Sequence, residues 1–262
     1  MPLPASQLER DPFLRLLLLG APKAGKSTAA IATSPGPVRV LLCEDQSALR
    51  GAKRLTSNFD FEPIGGWNSM QSAMAEARKD AEAGKIRTVV IDPLSDFADR
   101  VLREAFKNNL TKEGNEDGRK AYPECTKRLK HLAEQIFMLP CHAVVICHYM
   151  ELGGETGEGI EKTGKGIVPL LPGQARAVMA AKFVDVIWMD VRQVNGKSER
   201  VFVTGPEGAW GPGCRSLSGT HVLPADVGEL IKLFEEDWKP AKKPALVKPN
   251  NSRPSPQPPV RR

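Results

Sequence analysis

The sequence predicts an α/β fold: a mostly parallel central sheet with helices on both faces and an antiparallel hairpin toward the C-terminus. Three observations predict it. Short runs rich in Leu, Val and Ile alternate with segments of helical period. Those runs are apolar throughout rather than alternating with polar residues, as strands covered on both faces must be. Late in the chain, Asn195-Gly196 joins two strand-like stretches, and that dipeptide is favoured by tight hairpins.

The first strand is expected at 13–19, followed by a loop over 20–25 and a short helix beginning near Gly25. A second strand follows at 38–43. Asn68 and Gln71 read as a capping box for a helix that stops at Gly84. Next come a strand at 87–92 and a helix with Phe97, Val101, Leu102, Ala105 and Phe106 on one stripe. Residues 109–121 read as a polar loop, with a long helix after Pro123 and a buried strand at 142–148. Residues 150–173 hold seven glycines without periodicity and read as a long functional loop. A short helix near 174–181, hairpin strands at 184–192 and 198–204, and a last helix capped by Asp226 and Glu229 complete the chain. The expected division is an N-terminal extension at 1–11, one domain at 12–238 and a tail at 239–262.

The tail carries seven Lys or Arg, seven prolines and no acid. Proline lacks a donor and the segment has no apolar face, so it is expected to be disordered. Without those seven cations, 30 basic residues face 31 acidic ones, so the net charge of +6 belongs to the tail. Its role is either solubilising or phosphate-binding. The five cysteines (43, 125, 141, 147 and 214) form no CxxC pair. That argues against a zinc site or disulfide framework and for a reducing cytoplasm. The apolar stretch at 13–19 contains Arg15 and is too short to span a membrane.

Residues 20–27 read Gly-Ala-Pro-Lys-Ala-Gly-Lys-Ser, a complete G-x-x-x-x-G-K-[ST] between a strand and a helix. Gly20 and Gly25 let the backbone fold around an anion and aim N–H groups at it. The helix that follows adds its positive end. Lys26 supplies a compact cation for the β- and γ-phosphates, and the Ser27 hydroxyl a ligand for Mg²⁺. The expected nucleotide-binding set is Gly20, Ala21, Pro22, Lys23, Ala24, Gly25, Lys26, Ser27 and Thr28. A carboxylate must steady the metal from across the loop, and Asp92 ends the apolar run Thr88-Val89-Val90-Ile91. ATP with Mg²⁺ is therefore the expected ligand. Glu44, at the end of the second strand, is the candidate base for the attacking water. His148, at the end of the strand before the glycine-rich loop, is the candidate contact to the γ-phosphate.

Together with the segments at 169–191 and 221–234, these residues resemble the RecA-like ATPase core, and the short phage-encoded members that act in recombination or single-strand annealing. The resemblance spans about residues 12–238. It implies ATP hydrolysis coupled to ring or filament assembly, in the cytoplasm of a bacterial host. Single-stranded DNA would be held by the loops after the Asp92 and His148 strands, with a single-strand-binding protein as a possible partner. Lys26, Ser27 and Asp92 match the nucleotide and metal positions, Glu44 the water-activating carboxylate and His148 the sensor. Arg215 matches a cation offered to a neighbouring subunit's nucleotide, although Gly213 or Cys214 stands where the pattern has a Lys. Within 150–173, four Glu outnumber two Lys, which makes a poor grip on phosphates. Tyr149 and Trp210 are candidates for base stacking. Two other readings stay open: a P-loop phosphotransferase, disfavoured because 150–173 has no Arg for a lid, and a nucleotide-gated assembly module with little turnover.

Overall fold

A computed structural model describes residues 11–152, 166–194, 196–205, 213–214, 216–217 and 221–237. The proposed tail at 239–262 and the centre of the glycine-rich segment lie outside the described residues.

The apolar runs become strands because each must bury both faces. β1 (Arg15–Gly20), β2 (Val38–Leu42), β4 (Thr88–Asp92) and β5 (His142–Cys147) are buried almost end to end. Successive side chains go to opposite faces. Leu17, Leu19, Val89, Ile91, Val145 and Cys147 enter one core, against α3 (Trp67–Glu82), α4 (Leu94–Asn108), α5 (Gly118–Phe137) and α6 (Ala175–Lys182). Leu16, Leu18, Val40, Val90, Val144 and Ile146 enter the other, against α1 (Lys26–Ala32) and α7 (Val227–Asp237). The result is a three-layer α/β/α core.

Among the described residues the main sheet has eight strands, with β3 (Phe59–Pro63), β8 (Asp185–Val194), β9 (Lys197–Val203) and β10 (Val222–Pro224) joining those four in the order β10-β9-β8-β1-β5-β4-β2-β3. Six run parallel, from β3 at one edge to β8 beside β1. β9 and β10 continue it antiparallel. The hairpin is therefore β8–β9, turned at Gly196 with φ 77°, and its first strand belongs to the parallel sheet. β5 lies between β1 and β4, so the phosphate-loop strand and the Asp92 strand end two spacings apart, roughly 10 Å.

Several expectations are corrected. The N-cap of α3 is Gly66, not Asn68; Ser69 Oγ accepts from the Gly65 and Gly66 N–H groups, both at 3.0 Å. The Glu104 carboxylate, from α4, accepts from Trp67 N–H at 3.2 Å, an acid at the positive end of a helix. The long helix starts at Gly118, before Pro123, with Asp117 as its cap. Pro123 is tolerated because it sits near the helix start and is exposed, where the carbonyl it leaves unpaired meets water. The glycine-rich segment is framed by a two-stranded ribbon of β6 (Tyr149–Leu152) and β7 (Gly166–Pro169), so it is not a loop throughout. Other boundaries agree: Gly84 ends α3 in the left-handed region at φ 69°, and Asp226 Oδ1 accepts from Glu229 N–H at 2.9 Å.

Arg15 opens the central strand with only 4% of its side chain exposed. Its guanidinium donates to the carbonyls of Leu14, Leu139 and Cys141, tying the start of β1 to the turn before β5. Replacing Arg15 by Met would take this donor from the Leu139 and Cys141 carbonyls, whereas Leu14 C=O keeps its bond from Ala143 N–H at 2.8 Å. Arg15→Met should lower the unfolding free energy by roughly 2–4 kcal/mol in a urea melt; a loss below roughly 0.5 kcal/mol would mean that water reaches these carbonyls.

Candidate functional site

β1 is pinned between two parallel neighbours and delivers Gly20 to the carboxyl edge of the sheet. A side chain at Gly20 would place its Cβ 2.7 Å from the Met189 carbonyl oxygen, so the close pass of β8 requires glycine. The chain then turns, with Ala24 N–H donating to Ala21 C=O at 3.2 Å. Lys23 (φ 63°) and Gly25 (φ 98°) both take the left-handed region. Alternating handedness of this kind makes a concave row of amides, and α1 begins at the next residue. Lys26 is 4% exposed. Its ammonium donates to the Gly20 and Ala21 carbonyls at 2.8 Å each and stands 3.5 Å from His148 Nδ1. Burial lowers its pKa, and the nearby Asp92, Cys147 and Glu44 oppose that shift.

The register explains these neighbours. Leu19 pairs with Cys147, so the residues one step further, Gly20 and His148, emerge side by side. Leu42 pairs with Asp92, so Glu44 projects two residues beyond the Asp92 level. Burial lowers the His148 pKa and Lys26 lowers it further, which holds the imidazole neutral. Ser95, in the first turn of α4, accepts from His148 N–H at 3.4 Å.

Asp92 is 1% exposed, and burial pushes its carboxyl up to about 7, opposed by a hydrogen bond with the Ser27 side chain. Its Oδ2 has no hydrogen-bond partner and is buried. A buried carboxylate oxygen aimed at no donor, beside a serine hydroxyl and a phosphate-type loop, fits a hard divalent cation. Among the described residues no group of three His, Cys, Asp or Glu could hold a metal by itself.

Glu44 is half-buried; burial raises its pKa, Asp96 adds to the rise and Lys26 opposes it. Ala21 and Ser27 are also half-buried, while Pro22 and Lys23 are exposed on the outer side of the loop. Thr28 Oγ1 faces α2 (Arg50–Lys53), where a Cβ on Gly51 would stand 2.4 Å from it. Arg215 and Trp210 lie outside the described residues. The neighbours of Arg215 are tied to Asp185: Ser216 Oγ donates to its Oδ2 at 2.7 Å, and Cys214 Sγ lies 3.1 Å from its Oδ1. Asp185 starts β8, so these residues sit at the end of the sheet opposite the phosphate loop. Tyr149 packs edge-on against Trp188 at 4.4 Å. After Asp92 the chain passes through Pro93 into α4, and the polar loop expected at 109–121 ends at Asp117, where α5 begins.

Three further residues converge here without a signal in the sequence strong enough to single them out. Asp96 bears electrostatically on Asp92, Glu44 and His148; read linearly, it is only an acid in the first turn of a helix. Arg100 donates to the carbonyls of Ile64 and Cys43 and so fixes the backbone that carries Glu44. Arg200, on β9, donates through Nε to the Ala24 carbonyl at 2.9 Å. No linear pattern foretells that contact.

A phosphate loop at the end of a buried central strand, facing an acid two strands away, defines a P-loop nucleotide-binding core in a three-layer α/β fold. The family model described as an AAA domain matches residues 13–214, and the chain belongs to that family. Among solved structures, the chain is similar to a KaiC-like protein from the hyperthermophilic archaeon Pyrococcus horikoshii. The two share 14% identity, with a TM-score of 0.42 and coverage of 80% of this chain and 88% of that one. A comparison with curated proteins finds no match. No helix among the described residues is long and apolar enough to cross a membrane.

The Asp92 geometry predicts a pH signature. The folded carboxyl keeps its proton to about 7, whereas in the unfolded chain it ionises near its ordinary value of 3.8. Folding therefore loses stability as pH climbs between those values. Asp92→Asn should match the wild type in thermal melts at pH 4 and exceed it at pH 8; an equal offset at both pH values would contradict a buried, raised carboxyl.

Proposed function

We propose that the chain binds Mg-ATP at residues 20–28 and hydrolyses it, with nucleotide state coupled to single-stranded DNA binding and self-assembly. The observation that carries the first part is the Ser27–Asp92 pair, with its orphaned Asp92 oxygen next to the loop and the Lys26 ammonium. The loop amides and Lys26 would hold the β- and γ-phosphates, and Ser27 and Asp92 would hold Mg²⁺. Held there, the metal would neutralise part of the phosphate charge. Glu44 orients a water and takes its proton as the water oxygen bonds to the γ-phosphorus. The bond to the β–γ bridging oxygen breaks, and ADP leaves. The raised pKa of Glu44 suits it to accept that proton. His148, neutral beside Lys26, touches the γ-phosphate.

Support for DNA coupling comes from position. The β6–β7 ribbon springs from the residue after His148, so a movement of that imidazole reaches the ribbon directly. Tyr149 is packed against Trp188, which leaves the seven cations of the tail as the stronger electrostatic candidates. A recombination or annealing role of the phage type is the specific form of this proposal, with Arg215 acting on a neighbouring subunit's nucleotide.

Lys26→Ala should abolish tight ATP binding in equilibrium titrations, since it removes a charge-assisted contact to the phosphates. Glu44→Gln should bind ATP like the wild type and lose turnover by about 10²-fold or more. Retained turnover would remove Glu44 from the mechanism. In the wild type, single-stranded DNA should accelerate ATP hydrolysis, and deleting 239–262 should flatten the log–log salt dependence of DNA affinity by up to about 5. Phosphate transfer to a small acceptor instead would establish the kinase reading.

A further inference from the structure

The seven-residue helix α1, which carries Lys26 and Ser27, is held at both ends by the C-terminal part of the same chain. At its start, Arg200 Nε donates to the Ala24 carbonyl at 2.9 Å. A Cβ on Gly25 would stand 2.6 Å from that nitrogen. Gly25 thus serves two needs: it takes φ 98°, and it leaves room for the guanidinium. At the far end, Thr33 caps α1. Its hydroxyl accepts from Val227 N–H at 2.8 Å and its carbonyl from Gly228 N–H at 3.1 Å. Val227 and Gly228 open α7, and the two grips belong to one unit. β9, which carries Arg200, pairs with β10, and Ala225 N–H donates to the Arg200 carbonyl at 3.1 Å just before α7 begins.

We propose that this β9–β10–α7 unit is a clasp on the nucleotide-binding helix, with Arg200 as its positioning residue. Arg200 holds the Ala24–Gly25 turn in its phosphate-ready shape, and phosphate binding at the loop is transmitted through α1 and Thr33 to the start of α7. Two physical effects favour the role. A loop of small residues and glycine has many conformations to lose, and a fixed turn lowers that entropic cost of binding. The guanidinium also brings a permanent positive charge to an anion site. Arg200 is exposed, and among the described residues its side chain hydrogen-bonds to the Ala24 carbonyl, so truncating that side chain disturbs no core.

The inference rests on Mg-ATP binding at the loop, and the test separates the two. Full-length wild type, Arg200→Ala and Arg200→Lys are titrated with Mg-ATP and Mg-ADP, assayed for turnover, and followed by hydrogen exchange with and without Mg-ATP. Arg200→Ala is expected to weaken both nucleotides about tenfold, the effect of one lost charge-assisted hydrogen bond. KM should rise while kcat stays within about twofold, the pattern of a contact made equally before and during reaction. Arg200→Lys, which keeps the charge and one donor, should recover affinity to within about threefold of the wild type. Mg-ATP should slow exchange at the Val227 and Gly228 amides in the wild type and not in Arg200→Ala at equal occupancy. Unchanged affinity in Arg200→Ala, even with a lower melting temperature, reduces Arg200 to a strut and overturns the clasp. Unchanged exchange at α7 overturns the transmission. A wild type that binds no Mg-ATP defeats the nucleotide reading itself, and the clasp with it.

Discussion

The Lys26 ammonium is a cation buried at the top of a sheet, held by the Gly20 and Ala21 carbonyls. Much of the architecture serves to make that burial tolerable. A lone ammonium cannot be taken out of water without compensation. Here β1 must stop at a glycine so that two carbonyls turn toward the amine, and β4 must end in an acid and β2 be followed by one, close enough to favour its charge. Those acids in turn carry raised pKa values, so charge is balanced across the cluster rather than within one pair. An anion bound at the loop would relieve the mismatch on the cationic side, and a divalent cation would relieve it on the acidic side.

Strand order makes such a cluster possible. With β5 between β1 and β4, the loop and Asp92 are separated by the width that a metal–phosphate group occupies, and the intervening strand places His148 at the floor of the gap. Adjacent strands would have crowded Lys26 against Asp92 as a closed ion pair. The spacing keeps both groups available while the Ser27 hydroxyl bridges toward the carboxylate.

Much of this is legible in the sequence. The loop at 20–27 is legible because its glycines, Lys26 and Ser27 are constrained locally. Asp92 and His148 are legible because each ends an apolar run, and Glu44 because it follows one. The limits are equally physical. β3 was not anticipated, since an edge strand of five half-exposed residues, FDFEP, needs no continuous apolar run. The start of α5 was hidden by Pro123, read as a boundary although it stands in an exposed second turn. β10, with three residues, exists through its pairing with β9 and has no pattern of its own. Arg200 and Arg100 act by reaching backbone carbonyls far away in sequence, and nothing in local periodicity encodes that.

The centre of the sheet can be completed only late. β1 is among the earliest segments of the chain, yet its two neighbours are β5 and β8. Leu16 pairs with Asp185, 169 residues later, and Gly20 is fitted against Met189. On a ribosome adding about 5–20 residues each second, that separation is a wait on the order of ten to thirty seconds. Until β5 emerges, the apolar run Leu16–Leu19 lacks both of its strand partners, and until β8 emerges it lacks one. A nascent chain of this design depends on the translation machinery, or on a chaperone, to shelter Leu16–Leu19 until the second half arrives, and truncated products ending before β8 would be sticky rather than partly active.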